Sequence, residues 1–227
     1  MVKLGKRHKS NRSQVERSRR YSIDEALALL KKAKAVKFDE TIEIAIKLGV
    51  DVKKSDQIVR GAVSLPQGIG KTLRVIVFAK EERHQEALDA GAQEAGGQEL
   101  AKKIQDGWLD FDVVIATPDM MSVVGKLGKI LGPQGKMPSP KSGTVTKDIS
   151  NTVKEFCAGK IEFRTDSGSN IHAPMGKRSF TDEALKENIQ SFIDHIKSVK
   201  PSAARGQYIL GVSLSSTMGP GIKIDAN

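Results

Sequence analysis

Three apolar runs in this chain follow two different rules, and their order constrains the fold more than any other feature. Residues 41–48 alternate: Ile42, Ile44, Ile46 and Leu48 fall on one side, Thr41, Glu43, Ala45 and Lys47 on the other. A period of two marks a strand with one face in a core and one in water. Leu73, Val75, Ile76, Val77, Phe78 and Ala79 form a near-continuous apolar run, the pattern of a strand covered on both faces. Tyr208, Leu210, Val212 and Leu214 then alternate again. A one-sided sheet that gives way to a two-sided one and later resumes is a domain with another inserted into it.

The flanks are consistent with that reading. Ser22 followed by Glu25 is a capping box, and Ile23, Ala26, Leu27 and Leu30 recur at helical spacing. The helix ends in Lys31, Lys32, Lys34 and Lys37, which suits the negative end of its dipole. Later, Ile161 and Phe163 alternate with Glu162 and Arg164, and residues 166–170 read as a hairpin turn leading to Ile171. Leu185, Ile189, Phe192, Ile193, Ile196 and Val199 form the apolar stripe of a helix stopped by Pro201. At roughly 65 residues, neither flank buries a secure core alone. Residues 1–67 and 160–227 are therefore expected to make one discontinuous α+β domain. Residues 68–159 alternate strand and helix, which argues a small parallel α/β layer, and the fold class is α/β. The two glycine-containing crossings, 65–71 and 158–160, read as a hinge.

Charge is concentrated. Of a net +10, residues 1–20 carry +7 and residues 126–147 carry +5, so the remainder is slightly acidic. Two basic segments on a nearly neutral body point to a polyanionic partner. Residues 1–20 have almost no apolar residues for an amphipathic transit helix, and a helix start follows at once, so they read as a basic arm, disordered when free. No apolar run approaches the roughly 20 residues that a membrane-spanning helix needs. A single cysteine, Cys157, excludes an internal disulfide and fits a reducing compartment. Aromatics are only 4% of the chain, too few for a platform that stacks single-stranded bases.

The residues argue against several chemistries. A phosphate-binding P-loop needs Gly six residues before its Lys and a hydroxyl after it. Before Lys136 that position is Ile130, and Met137 follows; before Lys71 it is Leu65. Lys80, Glu81 and Glu82 stand where a dinucleotide fingerprint would follow the first strand of the middle segment. His8, His84, His172 and His195 fall on different elements without ligand spacing, so no metal site is expected. Cys157, on an apolar helix face beside Phe156, reads as a buried inert thiol. Two features stay open from the residues alone. Phe38 is either core at a strand entrance or a stacking surface. The Thr-Met-Gly-Pro-Gly turn at 217–221 is either a frayed end or a place where the main chain meets a ribose.

The string at 125–145, GKLGKILGPQGKMPSPKSGTV, holds five glycines, three prolines, four lysines and no acid. It reads as a shaped basic loop rather than a helix or strand. It closely resembles the signature of the large-subunit ribosomal protein one family, the bacterial-type protein of the mobile stalk beside the tRNA exit site. The resemblance extends over nearly the whole chain. It implies a discontinuous first domain split by a Rossmann-like, three-layer α/β second domain. It implies an RNA surface on the first domain, made by Lys37, Phe38, Glu40 and Thr41, by Asp166, Gly168, Asn170 and His172, and by Thr217, Met218 and Gly219. Lys126, Lys129, Lys136 and Lys141 are assigned a secondary electrostatic contact. The implied partners are large-subunit ribosomal RNA, exit-site tRNA and the protein's own operon mRNA, whose translation it would repress. The resemblance implies a cytoplasmic ribosomal protein, monomeric when free, with no cofactor, no metal, no membrane association and no enzyme activity. A nucleotide-using α/β enzyme and a non-specific nucleic-acid chaperone are the alternatives; the chaperone predicts equal affinity for any folded RNA.

Overall fold

The period-two segments of the two flanks pair with one another. The computed structural model describes residues 5–34, 36–54 and 56–225. In chain order its elements are α1 (Lys6–Arg12), α2 (Ile23–Lys32), β1 (Thr41–Leu48), β2 (Arg60–Ser64), β3 (Val75–Phe78), α3 (His84–Asp89), β4 (Glu94–Gly96), α4 (Gln98–Gln105), β5 (Val113–Ala116), α5 (Met121–Gly125), α6 (Gly128–Leu131), α7 (Ile149–Ala158), β6 (Lys160–Arg164), β7 (Asn170–Lys177), α8 (Asp182–Ser198), β8 (Ile209–Ser216) and β9 (Ile222–Ile224). The class is mixed α/β. The contacts group the chain into two compact units, Met1–Gly70 with Glu162–Asn227, and Lys71–Ile161.

The first unit is built on a four-stranded antiparallel sheet in the order β7-β1-β8-β9. Ile42, Ile44, Ile46 and Leu48 of β1 are buried with Ile171 and Ala173 of β7 and Val212 and Leu214 of β8. Two helices close that face: α2 through Ala26, Leu27 and Leu30, and α8 through Leu185, Ile189, Phe192, Ile193 and Ile196. The capping box at the start of α2 forms in full: the Ser22 hydroxyl accepts from the Glu25 N–H, and the Glu25 carboxylate accepts from the Ser22 N–H.

Four features of this unit differ from the sequence reading. β6 and β7 are not a hairpin: the turn at 166–170 forms, but β6 pairs with β2 and β7 with β1. Leu210 is exposed, because the β1–β8 register passes from Lys47↔Gly211 to Leu48↔Ile209 and leaves Leu210 as a bulge. An extra residue in a strand breaks the period that placed Leu210 in the core. The chain also continues past the 217–221 turn into β9, which returns antiparallel to β8. Finally, part of the basic arm is ordered. Residues 6–12 are helix α1, and the Asn11 side chain both accepts from the Lys34 N–H (2.9 Å) and donates to the Lys34 C=O (3.4 Å).

In the sequence Asn188 is only a polar residue on a helix. In the fold it is fully buried, and its amide accepts from the Gln67 N–H (3.0 Å) and donates to the carbonyls of Gly68 (2.9 Å) and Met175 (2.8 Å). Residues 67–70, which read as linker, are pinned there. Gly70 sits at φ 67°, where a Cβ would lie 2.9 Å from the Phe180 ring.

The second unit holds a parallel three-stranded sheet in the order β4-β3-β5. Alternate residues of β3 enter two cores, which explains the continuous apolar run. Ile76 and Phe78 pack with Leu100, Ile104, Phe111 and Val124 on one face; Val75 and Val77 pack with Ala87, Ile149, Val153 and Phe156 on the other. Cys157, read as buried, is only half-buried at the rim of this second cluster, and burial pushes its thiol pKa up. Asp112 precedes β5 and gathers the start of β3, accepting from Lys71 Nζ (2.9 Å), the Arg74 N–H (3.1 Å) and Arg74 Nε (3.3 Å). Burial alone would raise its pKa, but the bonds from Lys71 and Arg74 outweigh that and hold it down to about 2. A carboxylate depressed in the folded state contributes stability above its unfolded pKa and loses it as pH falls through the folded one. Between about pH 4 and pH 2 the second unit should therefore lose stability through this group. Asp112→Asn should flatten that part of the acid-unfolding curve, followed by circular dichroism, and leave the curve near pH 7 lower than the parent's.

Candidate nucleic-acid interface

The side of the four-stranded sheet away from α2 and α8 is open. It presents Glu43, Ala45 and Lys47 of β1, Asn170 and His172 of β7, Gly211, Ser213 and Ser215 of β8, and Lys223 of β9. Toward one end it dips into a hollow of about 580 Å³, whose lining includes Arg20, Lys47, His172, Leu210 and Lys223. The face is polar and carries several cations, with little aromatic surface.

Segments 37–41 and 217–219 meet at one end of this sheet. The Thr217 N–H donates to the Thr41 carbonyl (3.0 Å), and the Thr41 N–H donates to the Thr217 hydroxyl oxygen (2.9 Å). Lys177 Nζ donates to Thr41 Oγ1 (3.0 Å). Phe38, three residues before Thr41, is 54% exposed, and Met218, next to Thr217, is 49% exposed, two of only a few large apolar side chains that face water among the described residues. Phe38 is thus not core. Lys37 is exposed beside it. Asp39 holds the segment from below by accepting from the Ser179 N–H and hydroxyl (3.2 and 2.7 Å).

Glu40 departs from its assignment as an RNA contact. Its side chain is 2% exposed, so it cannot reach a ligand. One carboxylate oxygen, Oε1, accepts instead from the Met218 N–H (3.1 Å) and the Ser216 hydroxyl (3.3 Å). Gly219 is also constrained from within: a Cβ there would run into the Ser216 side chain. Its small size is needed by the turn itself, whatever else approaches.

The third segment lies apart from the other two. Lys47 pairs with Asn170 at the far end of β1 from Thr41, about 20 Å away at roughly 3.3 Å per residue. There Asp166 accepts from the N–H groups of Asn170 (2.7 Å) and Gly168 (2.8 Å) and from the Asn170 side chain. Those bonds, the Asn170 backbone first, hold its pKa below the usual carboxylate range. Asp166 is therefore an anion whose lone pairs are largely taken by its own loop. His172 Nε2 is 3.7 Å from Asp166 Oδ2 and exposed on the open face. Ser169 takes the left-handed conformation at φ 60°, with its hydroxyl donating to the Val50 carbonyl (2.8 Å).

The string at 125–145 is more structured than a loop. It begins at the end of α5, contains α6, and ends in a bonded turn where Thr144 Oγ1 accepts from the Ser139 N–H (2.9 Å). Lys136 is not available to a phosphate. Its Nζ donates to the carbonyls of Phe111 (2.6 Å) and Leu109 (3.3 Å) and lies 4.7 Å from the Phe111 ring centroid. Lys126, Lys129 and Lys141 are exposed. Among the described residues no cluster of His, Cys, Asp and Glu could hold a metal ion, and no helix is long and apolar enough to cross a membrane.

A family profile described as the ribosomal protein L1p/L10e family matches residues 29–220. The chain belongs to this family. A curated relative, the large ribosomal subunit protein uL1 of Syntrophobacter fumaroxidans, is 53% identical over 225 residues, covering 99% of this chain and 96% of its own. The chain is a structural ribosomal protein and not an enzyme, so the nucleotide-using alternative falls. The open sheet face joins the separated candidate segments. Ser213, Ser215, Lys177 and Lys223, on or beside it, carry no signal of their own in the sequence. The period-two pattern of β1 already implied such a face; which partner strands complete it depends on pairings between residues far apart in sequence.

Proposed function

We propose that this protein binds structured large-subunit ribosomal RNA through its first unit, as a component of the large-subunit stalk in the cytoplasmic ribosome. The observation that carries the reading is the exposed end of the sheet: Phe38 and Met218, on the segments that the Thr41–Thr217 pairing brings together, both face water. Two bare apolar side chains beside hydroxyls and Lys37 suit the sugar edges of a folded RNA, where shape and 2′-hydroxyls are read. The open face between this end and the 166–172 turn, with Lys47, His172 and Lys223, suits a backbone running along the sheet. By kinship, the same surface would bind a similar fold in the protein's own operon mRNA and repress its translation, and movement with the stalk would help exit-site tRNA leave. Lys126, Lys129 and Lys141 would add a secondary electrostatic contact to RNA or tRNA. Lys136 drops out of that set because its charge is spent on two carbonyls.

The test is binding to a large-subunit ribosomal RNA stalk fragment against an unrelated hairpin of equal length, at two salt concentrations. The cognate fragment should bind more tightly at both. Equal affinity would favour the non-specific chaperone. The basic arm allows a further check. Lys6, Lys9 and Arg17 are exposed on or beyond α1. Changing all three to Gln should reduce the salt dependence by about 0.9 in slope for each duplex phosphate that is no longer neutralised. It should weaken both RNAs alike, since phosphate contacts carry no sequence choice. Weakening confined to the cognate fragment would show that the arm selects.

A further inference from the structure

Arg178 lies between β7 and α8, next to Ser179, and has itself no place in the surface described above. Its bonds nonetheless reach two separate parts of the first unit directly, the entrance of β1 and the end of α2. The backbone N–H donates to the Glu40 carbonyl (2.7 Å). One guanidinium nitrogen donates to Glu40 Oε2 (2.6 Å). The other donates to the carbonyls of Lys31 (2.7 Å) and Ala33 (2.6 Å), at the end of α2. Those carbonyls stand at the exit of the helix, which carries its negative end.

Glu40 relays this anchorage. Its Oε2 is taken by Arg178, and its Oε1 receives the Met218 N–H and the Ser216 hydroxyl. One planar guanidinium thus ties together the exit of α2, the entrance of β1 and, through one carboxylate, the turn after β8. We infer that Arg178 is a positioning residue for RNA binding: through Glu40 it sets Met218 in place without touching RNA itself. This rests on the RNA surface proposed above.

A bland reading is that the pair merely stabilises the fold. Its burial argues otherwise. The Glu40 side chain is 2% exposed and the Arg178 side chain 15%, and taking two charges out of water cancels most of their attraction. What such a pair does supply is geometry. A guanidinium can serve a carboxylate and two carbonyls at once from one rigid plane; an ammonium on a flexible stem cannot hold the same three directions. The acceptors here are fixed backbone and a buried acid, so the plane they share fixes the turn.

The experiment has two readouts. The first needs no RNA: amide hydrogen exchange of Met218 in Arg178→Lys, a change conservative enough to keep the chain folded. Exchange of the Met218 N–H should accelerate at least about tenfold while amides of β1 and α8 keep their protection. Unchanged Met218 protection overturns the inference. The second is a double-mutant cycle for affinity to the stalk RNA fragment, using Arg178→Lys and Met218→Ala. Arg178→Lys should weaken binding about tenfold in the parent, with an unchanged salt slope, and have little further effect once Met218 is Ala. Full additivity would mean that Arg178 acts elsewhere, and no weakening at all would remove its role. If the parent itself does not prefer the stalk fragment, the RNA reading fails, while the exchange result still decides whether Arg178 holds the turn.

Discussion

Asn188→Leu should lower the stability of the first unit by about 3 kcal/mol. The expectation comes from counting partners rather than from hydrophobicity, since leucine on the buried stripe of α8 would look favourable by that measure. The Asn188 amide satisfies the Gln67 N–H and the carbonyls of Gly68 and Met175. Leucine removes all three partners and offers none. A buried backbone group left unpaired costs about 1–3 kcal/mol. The Met175 carbonyl is fully buried and bears the whole cost, whereas Gln67 and Gly68 lie nearer the surface, where water can substitute in part. Against a total stability on the order of 5–15 kcal/mol, the shift is large and should appear as a clear drop in the urea midpoint. Asn188→Asp should be worse at neutral pH, because a carboxylate would face two carbonyls. Midpoint shifts below about 1 kcal/mol for both variants would mean that water enters and bonds in place of the amide.

Replacing both Phe38 and Met218 with Ala should weaken binding to the stalk fragment by about a hundredfold or more and leave thermal stability nearly unchanged. Base or sugar stacking on an aromatic ring is worth about 1–3 kcal/mol, and a flexible thioether moulded to an apolar patch adds to it. Both side chains are about half exposed in the free protein, so their removal opens no cavity. Neither is charged. Their contribution should therefore be the same at low and high salt, in contrast to that of Lys6, Lys9 and Arg17. Thr217→Val behaves differently, because the hydroxyl is already used: it accepts from the Thr41 N–H. That change should cost stability as well as affinity. A double Ala variant that binds as tightly as the parent at both salt concentrations would remove this end of the sheet from the RNA surface.

The sequence by itself determined what depends on near neighbours in the chain. The α2 start was legible because a capping box is closed within four residues, Ser22 to Glu25. The one-sided strand β1 and the two-sided strand β3 were legible because side-chain alternation is a local property of an extended chain. The mixed α/β class followed from those patterns, and the family from the spacing of glycine and proline in residues 125–145. Tertiary structure alone decided the rest, and in each case a distant partner was the reason. Leu210 turns outward because β8 carries one residue more than its register with β1 can pair. The strands flanking residues 166–170 part company because each finds a better-placed neighbour from the other flank. Lys136 resembles the exposed lysines around it until two carbonyls 25 and 27 residues away claim its charge. Glu40 and Asn188, which composition alone would put in water, are buried because groups from the opposite flank of the chain supply bonds that water would otherwise make. Periodicity reports which way a side chain points; only the folded chain reports what stands there to meet it.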